Sequence, residues 1–225
     1  MSFAPCVLSR IFHLRVLNYL PQWVLLVTFL GGCGAQAGCK NATPSAPPAP
    51  TPTPTPAPPP SSPPVFSVPI VDLSLLNDFL PFGFSDGAGH LNPAYELRTA
   101  GDTTMVRAAG PGTVVNVMTN PESDFEVHVR PPDAADYLVV YDHLVALQVA
   151  VGQSVAAGQV LGRIGNYLPG VGRTELQINR GSGQDAAARC PREFGTAEFN
   201  ASHDTAFRRF PGRGASVCLV DSLKP

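Results

Sequence analysis

Lysine is almost missing from this sequence: none stands between Lys40 and Lys224, and no Lys/Arg cluster follows residue 65. With a formal net charge of −2 the chain has no basic field to attract a polyanion, which excludes nucleic acid as a partner. The same scarcity removes the hairpin-tip attachment point that a lysine-modified carrier domain needs. No Gly-x-Ser-x-Gly elbow is present to supply a serine nucleophile, and no run of heptads supports a coiled coil. Amphipathic helices are lacking as well; apart from a turn of helix around Val71 to Leu80, nothing after residue 65 repeats convincingly at helical spacing.

What is present begins with export. Arg10 and Arg15 precede an apolar segment from Val16 to Leu30, about the length of a signal-peptide core and short for a membrane span, with Pro21 disfavouring a continuous helix. The segment ends in Leu30-Gly31-Gly32-Cys33. A leucine, two small residues and then a cysteine resemble the lipobox of bacterial lipoproteins, which implies acylation of Cys33 and membrane attachment through a lipid anchor. Gly34 follows, where an Asp would signal inner-membrane retention. The expected location is therefore the cell envelope, lipid-anchored and facing the periplasm, at the outer membrane.

Residues 40–64 are dominated by proline with Ala, Thr and Ser. Proline removes backbone donors and fixes φ, so the expected state is a disordered, extended polyproline-type tether; at about 3.1 Å per residue it would reach roughly 75 Å. The expected organisation is a signal peptide over 1–32, the lipidated cysteine and linker over 33–64, and one folded domain over 65–225. Cys6 leaves with the signal and Cys39 sits in the tether, its partner open. Cys190 and Cys218 remain, and an oxidising compartment favours a disulfide between them, which leaves no thiol nucleophile in the domain.

From Val65 the chain changes to short apolar runs bounded by Gly, Pro, Asp or Asn. Thr113–Val117, Phe125–Val129 and Tyr137–Tyr141 have the composition and length of strands, so the expected class is all-β, a sandwich or barrel. In Val139–Gly165, glycines Gly152, Gly158, Gly162 and Gly165 allow tight turns, while Val149, Val151, Val155, Leu161 and Ile164 are expected to alternate into a narrow interior.

Three landmarks in order carry a family resemblance: Arg107-Ala108-Ala109-Gly110-Pro111-Gly112-Thr113-Val114-Val115, then Tyr141-Asp142-His143-Leu144, then Gly152-Gln153 and Gly158-Gln159. Over residues 85–182 the chain resembles the lysostaphin/LytM-type zinc endopeptidases of the bacterial cell wall. The resemblance implies a duplicated hybrid-motif β-sandwich. It also implies a zinc held by the His and Asp of a His-x-x-x-Asp motif and by the last His of a His-x-His strand. His143 matches the family's Tyr-x-His-Leu histidine, and strand alternation would place it on the face of Tyr137, Val139 and Tyr141.

The ligand set departs from that pattern. Glu175 and Gln177 stand where the His-x-His pair is expected, and an amide oxygen is a poor zinc ligand beside imidazole or carboxylate. His90 supplies the early histidine, but Ala94 takes the place of the Asp; Glu96 is the nearest carboxylate substitute. The expectation is a domain without zinc that binds peptidoglycan or regulates a cell-wall hydrolase. The alternative is an active zinc metalloendopeptidase with a nonstandard set, in which His90 and Glu96 bind metal while His143 and Glu175 serve the chemistry. A further alternative is a hybrid-motif adaptor of an envelope transport complex. His128, which shares a strand face with Glu126 and Arg130, is expected on a solvated face, and His203-Asp204 has no catalytic spacing.

Overall fold

The structure is a computed structural model that describes residues 62–85, 87–182 and 185–224. Cys6, Cys33, Cys39, the apolar segment 16–30 and nearly all of the tether lie outside the described residues. Among the described residues no helix is long and apolar enough to cross a membrane.

The domain is all-β, as its composition implies. Among the described residues eleven strands form one antiparallel sheet: β1 (Leu76–Leu80), β2 (Ala94–Ala100), β3 (Met105–Arg107), β4 (Gly112–Thr119), β5 (Phe125–Arg130), β6 (Tyr137–Val145), β7 (Ser154–Val155), β8 (Val160–Leu168), β9 (Val171–Arg180), β10 (Ala187–Arg189) and β11 (Ser222–Leu223). The main path runs β1-β2-β9-β8-β6-β5-β4-β7, with β9 also paired to β6 and β10. One core cluster, including Tyr95, Leu97, Val127, Tyr141, Leu161, Ile164, Leu176 and Ile178, lies against it.

The repeated Gly-Gln turns have a mechanism. Gly152 and Gly158 adopt φ of +88° and +80°, where a side chain would be strained. The Gln153 and Gln159 side chains accept from the backbone N–H of Ala150 and Ala156, at 3.2 and 3.1 Å. Each turn then docks on another segment, Gly152 N–H donating to Val114 O and Gly158 N–H to Ala108 O, both at 2.8 Å. Val151 departs from its expected interior place: it stands at the tip of the first turn and is 61% exposed.

One local expectation is met and one is corrected. Val71–Leu80 holds only a 3-10 turn at Leu73–Leu75, capped by Asp72, before the chain enters β1. An eleven-residue helix, α1 (Ala197–Phe207), was not anticipated; Thr196 caps it by accepting from Phe199 N–H at 3.2 Å. Its inward residues are Phe199, His203, Ala206 and Phe207. A histidine filling a core slot breaks the apolar stripe that would have announced the helix. Cys190 and Cys218 are disulfide-bonded, with Cα atoms 6.0 Å apart, and pin the segment that carries α1.

Candidate functional site

Alternation along β2 and β9 sorts their residues onto two faces. Tyr95, Leu97, Thr174, Leu176 and Ile178 face the core, so Ala94, Glu96 and Arg98 share the other face with Arg173, Glu175 and Gln177. The register places Ala94 opposite Gln177, Glu96 opposite Glu175 and Arg98 opposite Arg173. On the far side of β9, β6 sets Val140 opposite Gln177 and Asp142 opposite Glu175. The open face is thus built in rows across three strands: one of Ala94, Gln177 and Val140, the next of Glu96, Glu175 and Asp142.

The second row is acidic, and its members are treated unequally. Glu96 is held by Arg98, whose Nε donates at 2.7 Å, and Arg98 also reaches Asp78 at 3.3 Å. Among the described residues no guanidinium donates to Glu175 in the middle, and Arg173 and His143 favour its charge only through space. Burial, with the Glu96 carboxylate beside it, pushes Glu175 up to about 7.

His143 reaches this row because β6 is bulged. Against β5 the register passes from Val127↔Tyr141 to Phe125↔Leu144, three residues against two, and His143 takes the extra place with φ +58°. Here β6 also changes partner, from β9 at Asp142 to β8 at Leu144. Gly165 makes the approach feasible, since a Cβ there would lie 2.8 Å from His143 O. The bulge corrects the expected placement: Leu144 rejoins the core, while the His143 ring leaves the Tyr137–Val139–Tyr141 face and turns toward Glu175.

Around the ring stands a polar set that sequence reasoning did not assemble. Nδ1 is 2.8 Å from Asp124 Oδ2 and 3.1 Å from Arg173 Nη2. In a neutral ring this atom donates to the first or accepts from the second, not both. Asp124 is 4% exposed, and donation from Nδ1 satisfies its buried charge. Nε2 stands 3.6 Å from Asp142 Oδ2 and 3.7 Å from Glu175 Oε1. Asn120 Nδ2 donates to both Asp124 Oδ1 and Asp142 Oδ1 at 2.7 Å, and the backbone N–H of His143 donates to Asp142 Oδ1 at 2.6 Å.

Asp124, Asp142 and His143 are close enough that one oxygen or nitrogen from each falls within 4.8 Å of the others, a separation compatible with a cation. The donors decide how that set is used. A metal cage needs lone pairs converging on an empty centre, whereas here an amide NH₂ lies between the two carboxylates and the imidazole is hydrogen-bonded to one of them. The set is closed by hydrogen bonds that fix His143, and a cation entering it would have to displace the Asn120 amide.

The structure brings Glu96, Glu175 and His143 to one face, with Gln177 in the next row. His90 lies on the exposed connection between β1 and β2. Glu175 pairs with no arginine; Glu96 does. His128 is half-buried and hydrogen-bonded to Glu126, and His203 is inside the core. Asp124 had no local signal, because it meets His143 only through the β5–β6 pairing, whereas Asp142 stood inside the Tyr-Asp-His-Leu segment.

Residues 94–179 match the profile of Peptidase family M23. No curated protein matches the chain. Among solved structures, the antimicrobial peptidase lysostaphin from Staphylococcus simulans is 21% identical, over 54% of this chain and 50% of that one, with a TM-score of 0.46. The catalytic domain of the prophage-encoded M23 protein EnpA from Enterococcus faecalis is 20% identical over 47% of this chain and 84% of that one, TM-score 0.39. The SpoIIQ–SpoIIIAH pore-forming complex gives 23%, 60% and 92%, TM-score 0.48. The chain thus spans half the length of the lysostaphin chain it matches.

Proposed function

From the premise that residues 94–179 carry a domain of the M23, lysostaphin/LytM type, we propose that this domain has lost its catalytic zinc and uses the open face to bind cell wall or to regulate a wall hydrolase. The observation that carries the reading is the pairing of Ala94 with Gln177 across the β2–β9 ladder. These are the two positions where the family pattern sets a ligating Asp and a ligating His. They lie side by side, and neither offers a carboxylate or an imidazole. A cation there would have lost two of its three protein ligands at one spot.

The same reading makes the chain an envelope lipoprotein, anchored through Cys33 at the outer membrane, with residues 40–64 as a spacer long enough to reach into peptidoglycan. Its supports are the Leu30–Cys33 pattern and the proline content of the linker. Labelled palmitate fed to producing cells should mark the parent chain and not Cys33→Ser.

The zinc question is tested on the full chain by dialysis against zinc near neutral pH followed by elemental analysis. The expected result is metal well below one equivalent. Stoichiometric, chelator-sensitive zinc would overturn the reading. It would favour a second one, an active metallopeptidase, for which the Asp124, Asp142 and His143 grouping is the supporting feature. Co-sedimentation with purified sacculi tests the wall-binding arm; the chain is expected in the pellet, and its absence there would leave only regulation of a hydrolase.

A further inference from the structure

The open face does not stop at Arg98. Past it, a cavity of about 510 Å³ opens between β1, the β8–β9 hairpin and the turn at Pro211–Arg213. Asn77, Asp78, Phe210 and Arg213 on its lining lie outside residues 94–179, so the flanking segments of this chain assemble it around the family-matched part. Its size falls in the range of about 300–1,000 Å³ common to small-molecule sites.

A chain of ion pairs runs into the cavity from the acidic row: Glu96 to Arg98 at 2.6 Å, Arg98 to Asp78 at 3.3 Å, and Asp78 to Arg213 at 2.8 and 2.6 Å. The signs alternate, and the two ends differ. Glu96 closes the chain outside the cavity, whereas Arg213 ends it on the lining, which therefore carries two guanidiniums and one carboxylate. Arg173 adds a third guanidinium, 5.3 Å from the centroid of the Tyr167 ring and in no ion pair among the described residues. The cavity is positive.

Arg213 is also the member with donors to spare. Its Nε and Nη2 are both spent on Asp78, its Nη1 donates to nothing among the described residues, and its side chain is 36% exposed. A guanidinium has five N–H groups in a planar fork, so the Nη1–Nη2 edge still matches one carboxylate with two parallel bonds. A doubly charged anion would also meet Asp78; a single negative charge is what the excess of guanidinium favours.

The rest of the lining says what carries that charge. Tyr167 is fixed under the Arg98 guanidinium, 4.2 Å from its ring centroid; Leu168 beside it is 56% exposed, and Phe210 is partly buried on the side of the turn. These walls suit an apolar body next to the charge. Asn77 is exposed on the lining, and its amide offers a donor and an acceptor together, the complement of a peptide group and of nothing in a plain hydrocarbon chain.

We infer that this cavity binds the C-terminal carboxylate of a short peptide with apolar last residues. The carboxylate takes the free edge of Arg213, the last side chain lies against Leu168 and Phe210, and a peptide group meets the Asn77 amide. The inference rests on the wall-binding reading for the source of the peptide, a wall peptide with a free end.

The full chain is titrated with N-acetyl-D-alanyl-D-alanine, following amide and tyrosine ring signals by NMR. The same peptide with a C-terminal amide tests the charge, and octanoate tests an apolar carboxylate that lacks peptide groups. Saturable changes centred on Tyr167, Leu168 and Arg213 are expected. Binding should weaken by about tenfold for the amide, for octanoate and in Arg213→Gln, and by several-fold in Asn77→Ala. Asn77 is on the surface, so its variant should keep the parent spectrum elsewhere. No saturable response, an amide or an octanoate bound as tightly as the peptide acid, or a response that either variant leaves intact overturns the inference. Sacculus sedimentation run in parallel separates the two ideas: sacculi pelleting the chain without peptide binding sinks the carboxylate site alone, whereas peptide binding without sacculus pelleting supports the site and sinks the wall-binding reading.

Discussion

Two histidines in this domain, one on the open face and one under α1, show what surroundings do to the same side chain. His143 sits among Asp124, Asp142 and Glu175, and its two nitrogens are the reason for its position. His203 sits among rings, with centroids 4.1 Å from Phe199, 5.5 Å from Tyr95 and 6.2 Å from Phe79. Its Nδ1 donates to Phe199 O at 2.8 Å, and its buried Nε2 has no partner. Burial pushes it down to about 4, so near neutral pH it is an uncharged flat ring in the packing. The open face is organised by polar atoms and the region beneath α1 by ring contacts and a disulfide, and that difference can be tested by removing one kind of contact at a time.

The largest effect is expected from the disulfide. Cys190 and Cys218 are 28 residues apart, and in the chain-entropy model a loop of that length contributes about 3.5 kcal/mol. The Cys190→Ala/Cys218→Ala double variant should unfold in urea at a much lower midpoint. Hydrogen exchange should show the loss concentrated in α1, with β5 and β6 around His143 protected nearly as before. Equal loss at both places would break the comparison.

Next come two pH effects of opposite sign and similar size. Glu175 binds its proton up to about pH 7 in the folded chain against about 4.5 when unfolded, so its ionisation destabilises the fold as pH rises through that window. Glu175→Gln should match the parent below pH 4.5 and exceed it above pH 7, by on the order of 3 kcal/mol. His203 has the reverse sense: its folded value of about 4 lies below the ordinary 6.5, so stability is lost as pH falls from 6.5 to 4. His203→Phe keeps a ring in the slot and should remove that loss, again on the order of 3 kcal/mol at the acid end. Unfolding by urea across pH 4–8 reads both; a Glu175→Gln variant no more stable than the parent at pH 8 would mean that the acidic row is better solvated than its burial implies.

These neighbourhoods were unequally legible in the sequence. The strands at 113–117, 125–129 and 137–141 were visible because β-branched and aromatic runs between turn residues need no distant information. The Gly-Gln turns were visible for the same reason. At the site, Glu175, Gln177 and His143 could be placed by family pattern, but strict alternation put the His143 ring on the wrong face, since a one-residue bulge leaves no mark in composition. Asp124 and Asn120 reach His143 and Asp142 across 19 and 22 residues of chain, a pairing only the folded register creates. Helix α1 was hidden because its stripe includes His203, whose polarity in a sequence count is the opposite of its role in the core.

A smaller loss is expected at Asp124→Asn. The amide replaces a buried carboxylate that accepts from Asn120 and His143, so about 2 kcal/mol should go, and the His143 ring signals should move because Nδ1 has lost its charged acceptor.

Tyr95→Phe, in the other region, should cost least. The Tyr95 hydroxyl is buried, with the Arg192 backbone N–H directed at it and the disulfide sulfurs at 3.5 Å (Cys190) and 3.9 Å (Cys218), and a divalent sulfur is a weak acceptor. Removing the hydroxyl takes away a poor bond together with the burden of burying a polar atom, two contributions that nearly cancel. The ring keeps its edge contact with Phe79 at 5.3 Å and its place beside His203 at 5.5 Å. Stability should therefore change by less than about 0.5 kcal/mol, against about 2 kcal/mol for one lost oxygen charge at Asp124. A Tyr95→Phe variant as damaged as Asp124→Asn would mean that polar atoms, and not ring packing, also hold the region beneath α1 together.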